Sequence, residues 1–183
     1  AIPHTTRNVA WRDVADTIGE LAAEVDKRIE NDQHSAPAIF LLVYGVQRYR
    51  MLRRSEDAFG LSLDEEEKAR PDAQFATILR EGSNVGVHVL LWADTLSTLE
   101  RTLDRQTIRQ FDHRVLFQMS AADSSNLIDS PAANQLGLHR ALLYSEEQGG
   151  IERFRPYAAP REDWLDQVRR KLAPKPAASK ADG

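Results

Sequence analysis

Asp94 and Thr95 stand where an open α/β sheet most often does its chemistry. They follow Val85, Val87, Val89, Leu90 and Leu91, an apolar run rich in β-branched side chains and too short for a typical helix. Such a run reads as a central parallel strand buried on both faces. Polar side chains at its C-terminal tip lie at the edge where sheets of this kind bind ligands. The competing reading is that one of them merely caps the next helix. A second tip, Tyr44-Gly45, closes the buried run Ala38-Ile-Phe-Leu-Leu-Val43, and a basic helix or loop with Arg48, Arg50, Arg53 and Arg54 comes after it. Arg101, Arg105 and Arg109 recur every four residues, the spacing of one helix face, which is usually only solvated.

Other chemistries find no footing. No strand tip offers the Gly-x-Ser-x-Gly turn that a Ser-His-acid hydrolase needs. His4, His34, His88, His113 and His139 show no metal-ligand spacing, and His88, inside the organising strand, reads as a hydrogen-bonded core side chain. The absence of cysteine removes disulfides, thiolate zinc sites and a thiol nucleophile together, and is compatible with a reducing cytoplasm. A glycine-rich loop ending in Lys-Ser or Lys-Thr, which would wrap a triphosphate in backbone N–H groups, is missing. The net charge of -4 argues against a free-standing nucleic-acid binder.

The elements that position these residues follow from periodicity. At 183 residues the chain fits one domain, expected over residues 1–173, with a disordered tail from Pro174 to Gly183. Ala1 in place of an initiator Met reads as a processed product or a fragment. After an irregular lead-in, Val14, Ile18, Leu21, Val25 and Ile29 draw the stripe of an amphipathic helix. Asp64-Glu-Glu-Glu67 lies in a charged insertion from Glu56 to Arg70, read as a solvated loop. Pro71 starts a helix with Phe75, Ile78 and Leu79 inward and Gly82 as its cap. Leu96 to Phe111 is a further helix, Arg114 to Met119 a strand, and Asp123 to Ile128 a short helix with an Asp or Ser cap. Arg140 to Tyr157 reads as an antiparallel hairpin, and Trp164, Val168 and Leu172 mark a last helix. The expected fold is an α/β layer structure with Ala38 to Val43, Val85 to Trp92 and Arg114 to Met119 as adjacent parallel strands. No apolar run is long enough to span a membrane.

From about Ile39 to Leu172, these segments resemble the C-terminal part of the motor domain of the FtsK/SpoIIIE family of DNA-translocating ATPases, within the FtsK-HerA group. Phe40-Leu-Leu-Val-Tyr-Gly-Val-Gln-Arg48 sits where the family has its Walker B strand. Leu79 to Ser97 is similar to the family's helix, Gly-Ile-His strand and polar sensor turn. His113 to Asp129 resembles the next strand and its Asp-Ser helix, and Ala132-Ala-Asn-Gln-Leu-Gly137 with Arg140-Ala-Leu-Leu-Tyr144 completes the order.

The resemblance implies a three-layer RecA-like core of the P-loop NTPase type. It places Tyr44, Gly45, Asp94 and Thr95 at nucleotide-site positions, and Arg48, Arg50, Arg53 and Arg54 where channel-facing loops begin. It also implies ATP and Mg²⁺ as cofactors of the intact motor. The implied partners are other ring subunits or an upstream half-domain, with DNA or a secreted protein as cargo, and no direct membrane contact. The implied location is the cytoplasm, as part of a parent protein that can itself be tethered to a membrane. The departures are specific: no Walker A half, and Tyr44 and Gly45 where the family has Walker B acids. Tyr cannot ligand Mg²⁺ as a carboxylate does, and Gly cannot polarise an attacking water. Two functions follow as expectations: part of an ATP-driven DNA or protein translocase, or a degenerate, non-hydrolysing scaffold or partner-binding module like those of type VII secretion. Tyr44 is expected to be partly buried, with Gln47 or Asp94 as partners for its hydroxyl.

Overall fold

The computed structural model describes residues 4–54 and 70–173. The acidic run from Asp64 and the tail from Pro174 lie outside them. Residues 9–154 form one compact unit, and residues 4–8 with 155–173 fall in another.

Within the larger unit, α1 (Val14–Glu30) turns Val14, Ile18, Ala22 and Val25 inward. The expected stripe ends differently, because Arg28 is buried to 4% exposure while Ile29 faces solvent. A buried cation needs a counter-charge and hydrogen-bond acceptors. Arg28 meets that demand by donating Nη1–H to the Val85 carbonyl at 2.9 Å and Nε–H to Glu24 at 2.8 Å.

Strand β1 (Ile39–Tyr44) pairs in parallel with β2 (Val87–Trp92), in register from Ile39 opposite Val87 to Tyr44 opposite Trp92. Ile39, Leu41, Val43, Val87, Val89 and Leu91 share a core with α1 and with Phe75 and Ile78 of α2 (Pro71–Glu81). The opposite face is bare: Phe40, Leu42, Tyr44, Leu90 and Trp92 are exposed. The expectation of strands buried on both faces therefore holds on one face only. An uninterrupted apolar run records that both faces are suited to burial, and is silent about what covers them.

Gly82 caps the end of α2 as expected, in a right-handed conformation with φ -59°. A Cβ there would lie 2.7 Å from the Val87 carbonyl oxygen, so close approach is what demands glycine. A turn over Gly82–Val85 follows α2, and Gly86, at φ +76°, swings the chain into β2 two residues later than its apolar run begins.

Strand β3 (His113–Leu116) corrects the topology expected from sequence. It lies in a separate sheet, antiparallel to β4 (Ala141–Ser145), which pairs antiparallel with β5 (Gly150–Phe154). The hairpin is thus present, but it extends β3 rather than the parallel pair. Arg114 supplies a physical reason: its side chain donates to the carbonyls of Leu127 and Arg109 and pairs with Glu146 at 2.7 Å. Those contacts tie β3 to its flanking helices and to the hairpin turn.

The helix expected from Leu96 to Phe111 is two, α3 (Leu96–Thr102) and α4 (Arg105–Arg109). Asp104 breaks it by accepting the Thr107 N–H at 2.7 Å as a new N-cap. Arg101, Arg105 and Arg109 consequently do not share one helix. Ser120 caps α5 (Ala121–Ile128) through the Asp123 N–H. Leu116, Ile128, Ala133, Leu136 and Leu142 form a second apolar core. In the smaller unit α6 (Glu162–Leu172) carries Trp164, Val168 and Leu172, and none of its residues is buried. Among the described residues no helix is long and apolar enough to cross a membrane.

Candidate functional site

Parallel pairing brings two of the chain's strand tips to one end of the same sheet. The Gly45 N–H donates to the Trp92 carbonyl at 3.2 Å, so the ladder runs through Tyr44 and Gly45, and Asp94-Thr95 follows Trp92 at its neighbour's end. The expected parallel pairing of β1 and β2 therefore puts these four residues at one edge. Their individual environments differ from what the resemblance implies.

Tyr44 is 65% exposed, contrary to the expectation of partial burial. Its ring stacks on Trp92 with centroids 4.9 Å apart and planes 17° from parallel, and the Arg48 guanidinium sits 5.9 Å above it. Gln47 is not its partner, since Gln47 Oε1 is buried without a hydrogen bond. Alternation explains the outcome: Tyr44 shares the outer face with Leu42 and Phe40, two and four residues back. Trp92 was missed as its partner because cross-strand register is not readable from either strand alone.

Gly45 occupies the left-handed region at φ +77° and ψ +67°, opening the turn Val46–Arg48. The chain reverses here so tightly that Val46 is fully buried directly after the exposed tip. A residue with a Cβ would be strained in this backbone by roughly 1–2 kcal/mol. Arg48, Arg50 and Arg54 are exposed and Arg53 half-buried, carried by two consecutive short turns, Val46–Arg48 and Arg50–Leu52, rather than by a helix.

Thr95 resolves the choice posed by its position: its hydroxyl accepts the Thr98 N–H at 3.2 Å and caps α3. Asp94 is exposed beside it, accepting the Thr95 hydroxyl at 3.4 Å. His88 is also corrected. It lies half-buried on the outer face, its ring 5.3 Å from that of Phe40, rather than in the core. No cluster of three or more His, Asp or Glu residues among the described residues is placed to hold a metal ion.

Asp94 and Thr95 also line an open cleft of about 910 Å³ between β2 and β3. It is the scale of a small-ligand site, of the order of 300–1,000 Å³. Of the residues at the strand tips, only Asp94 keeps an exposed carboxylate to offer Mg²⁺. Tyr44 is engaged with Trp92, residue 45 has no side chain, and the Thr95 hydroxyl is committed to a cap.

Comparison with models of protein families and with curated proteins finds no match for this chain. Fold and site define a mixed α/β protein with a two-stranded parallel sheet, a three-stranded antiparallel sheet and a bare aromatic face.

Proposed function

We propose that this chain is a degenerate, non-hydrolysing module related to the C-terminal part of an FtsK/SpoIIIE-type motor domain, and that it acts as a scaffold or partner-binding domain. The observation that carries this reading is the outer face of the parallel pair, where Phe40, Leu42, Tyr44, Leu90 and Trp92 stand in solvent. Contiguous apolar surface of this kind, beyond a few hundred Å², marks interaction sites. Under this reading the fold is part of a three-layer RecA-like core: α1 and α2 cover one face of the sheet, and a partner covers the other.

The second reading, part of an ATP-driven translocase of DNA or protein, is favoured by one observation. The strands resembling the Walker B and sensor strands are parallel neighbours, with their tips in register. In that case the phosphate loop, ATP and Mg²⁺ come with another segment.

Calorimetry of this chain with Mg-ATP, together with an assay for released phosphate, separates the two. The partner-binding reading expects no measurable hydrolysis and at best weak affinity. Submicromolar binding by this chain alone overturns it.

A further inference from the structure

The turn Gly82–Val85 brings α2 to its end, where helical carbonyls lose their partners from within the helix. The Gly86 N–H serves the carbonyls of Gly82 and Ser83. The next two are met from elsewhere in the chain. Arg28 of α1 donates Nη1–H to the Val85 carbonyl at 2.9 Å, and His34 Nδ1 lies 3.0 Å from the Asn84 carbonyl.

His34 differs from Arg28 in that its charge is optional. Its other ring nitrogen, Nε2, lies 2.9 Å from the Asp32 carboxylate. A carbonyl and an ionised carboxylate only accept, and a neutral imidazole has a single N–H to give. Both contacts are hydrogen bonds at once only in the imidazolium. We propose that His34 is a pH-operated latch, which as the imidazolium fastens the loop of residues 31–38 to the turn ahead of β2 and on losing its proton releases one of its two contacts.

The latch sits at the entrance to the parallel pair. The loop carries the chain from α1 into β1, and the turn carries it from α2 into β2. Between them the Ile39 N–H donates to the Gly86 carbonyl at 2.9 Å, where the ladder begins. Arg28 keeps its charge at any pH the protein meets and holds the same turn throughout, so opening His34 frees the loop without undoing the sheet. His34, Asp32 and Asn84 are exposed, and water takes the place of the lost partner. The change is local and reversible.

The charges nearby set the direction of the switch. Asp32 touches the ring. The last turn of α1 brings Lys27, Arg28 and Glu30, of which Lys27 and Arg28 pair with Glu24, and the end of α2 brings Arg80 and Glu81, paired with each other. The Asn84 carbonyl, and after it the Asp32 carboxylate, hold the imidazolium above its ordinary value of 6.5. The latch is therefore fully closed below that value and opens as pH rises through the higher, folded one.

The inference holds whether or not the chain is related to a motor. Its test uses no nucleotide, so failure here is distinct from failure of the proposed function. Heteronuclear NMR of the whole chain from about pH 5 to about pH 9 follows the His34 ring and the backbone amides together. The expected result is a His34 midpoint above 6.5 and, at that same midpoint, a step in the amide resonance of Val85, whose nitrogen is bonded to the Asn84 carbonyl carbon.

Two variants at exposed positions separate the parts. His34→Gln keeps a side-chain N–H for the Asn84 carbonyl and cannot titrate, so the Val85 step should disappear. Asp32→Asn suits the left-handed backbone at that position, φ +54°, and should move the His34 midpoint down. A wild-type midpoint at or below 6.5 overturns the proposal, as does a Val85 step that survives His34→Gln. So does a midpoint that Asp32→Asn leaves in place, since the ring would then have one partner rather than two.

Discussion

Truncating neighbouring positions of β1 tests whether the parallel pair is packed on one face alone. Val43 is 7% exposed, and Val43→Ala deletes two methyl groups from the core that β1 shares with α1 and α2. At about 0.8 kcal/mol per buried group plus a cavity term, the loss is about 1.5–2.5 kcal/mol. Leu42 is 71% exposed, so Leu42→Ala removes atoms that are mostly hydrated already and should cost no more than about 0.7 kcal/mol. Val43→Ala also gives up more β propensity than Leu42→Ala, but by only a fraction of a scale that spans about 1 kcal/mol, which leaves most of the difference to burial. Urea denaturation at matched m-values reads the two midpoints directly. Equal losses would refute the packing argument, because they require Leu42 to be covered as deeply as Val43. Repeating the titration at a tenfold different protein concentration then shows whether a second copy supplies that cover.

Tyr44→Asp should cost only the stack on Trp92, about 0.5–1.5 kcal/mol by thermal denaturation, and should not create ATP hydrolysis; appearance of hydrolysis would refute the non-catalytic reading. Arg28→Met keeps apolar bulk but leaves the Val85 carbonyl without its donor, so a loss of about 1–3 kcal/mol is expected in urea. Asp104→Ala should destabilise by about 1 kcal/mol at neutral pH through loss of the α4 cap. The Thr107 N–H holds the Asp104 carboxyl below its ordinary value of 3.8, so its contribution is fully present above that value and fades as pH falls through the lower, folded one. The gap between wild type and Asp104→Ala in an acid titration should therefore close below about pH 4.

The local elements were legible because local rules decide them. The 3.6 period of α1, the Pro that opens α2 and the glycine-rich turn of the β4–β5 hairpin act within a few residues of chain. Long-range partnerships were not. Nothing within Arg114 to Met119 says that β3 joins the hairpin, since that choice depends on where one guanidinium finds two carbonyls and a carboxylate. Likewise the alternation in Phe40, Leu42 and Tyr44 shows that these residues share a face, and only the packing of α1 and α2 reveals which face is covered. At the strand tips, Asp94 and Thr95 were found as a pair by position, but Thr95 is a cap, as its identity allowed from the start.

The backbone at Gly45 also shapes how this sequence can change. A mutation to Asp or Glu at position 45 would place a carboxylate beside Tyr44 in a single step, yet the new side chain would inherit a left-handed residue whose Cβ lies 3.4 Å from Arg48 Nε. Such a lineage would be less stable before it gained any activity, and the cost would be relieved only when the turn Val46–Arg48 re-formed on a different path. The turn thus acts as a ratchet: losing a side chain at position 45 is free, and gaining one needs compensating changes in the turn.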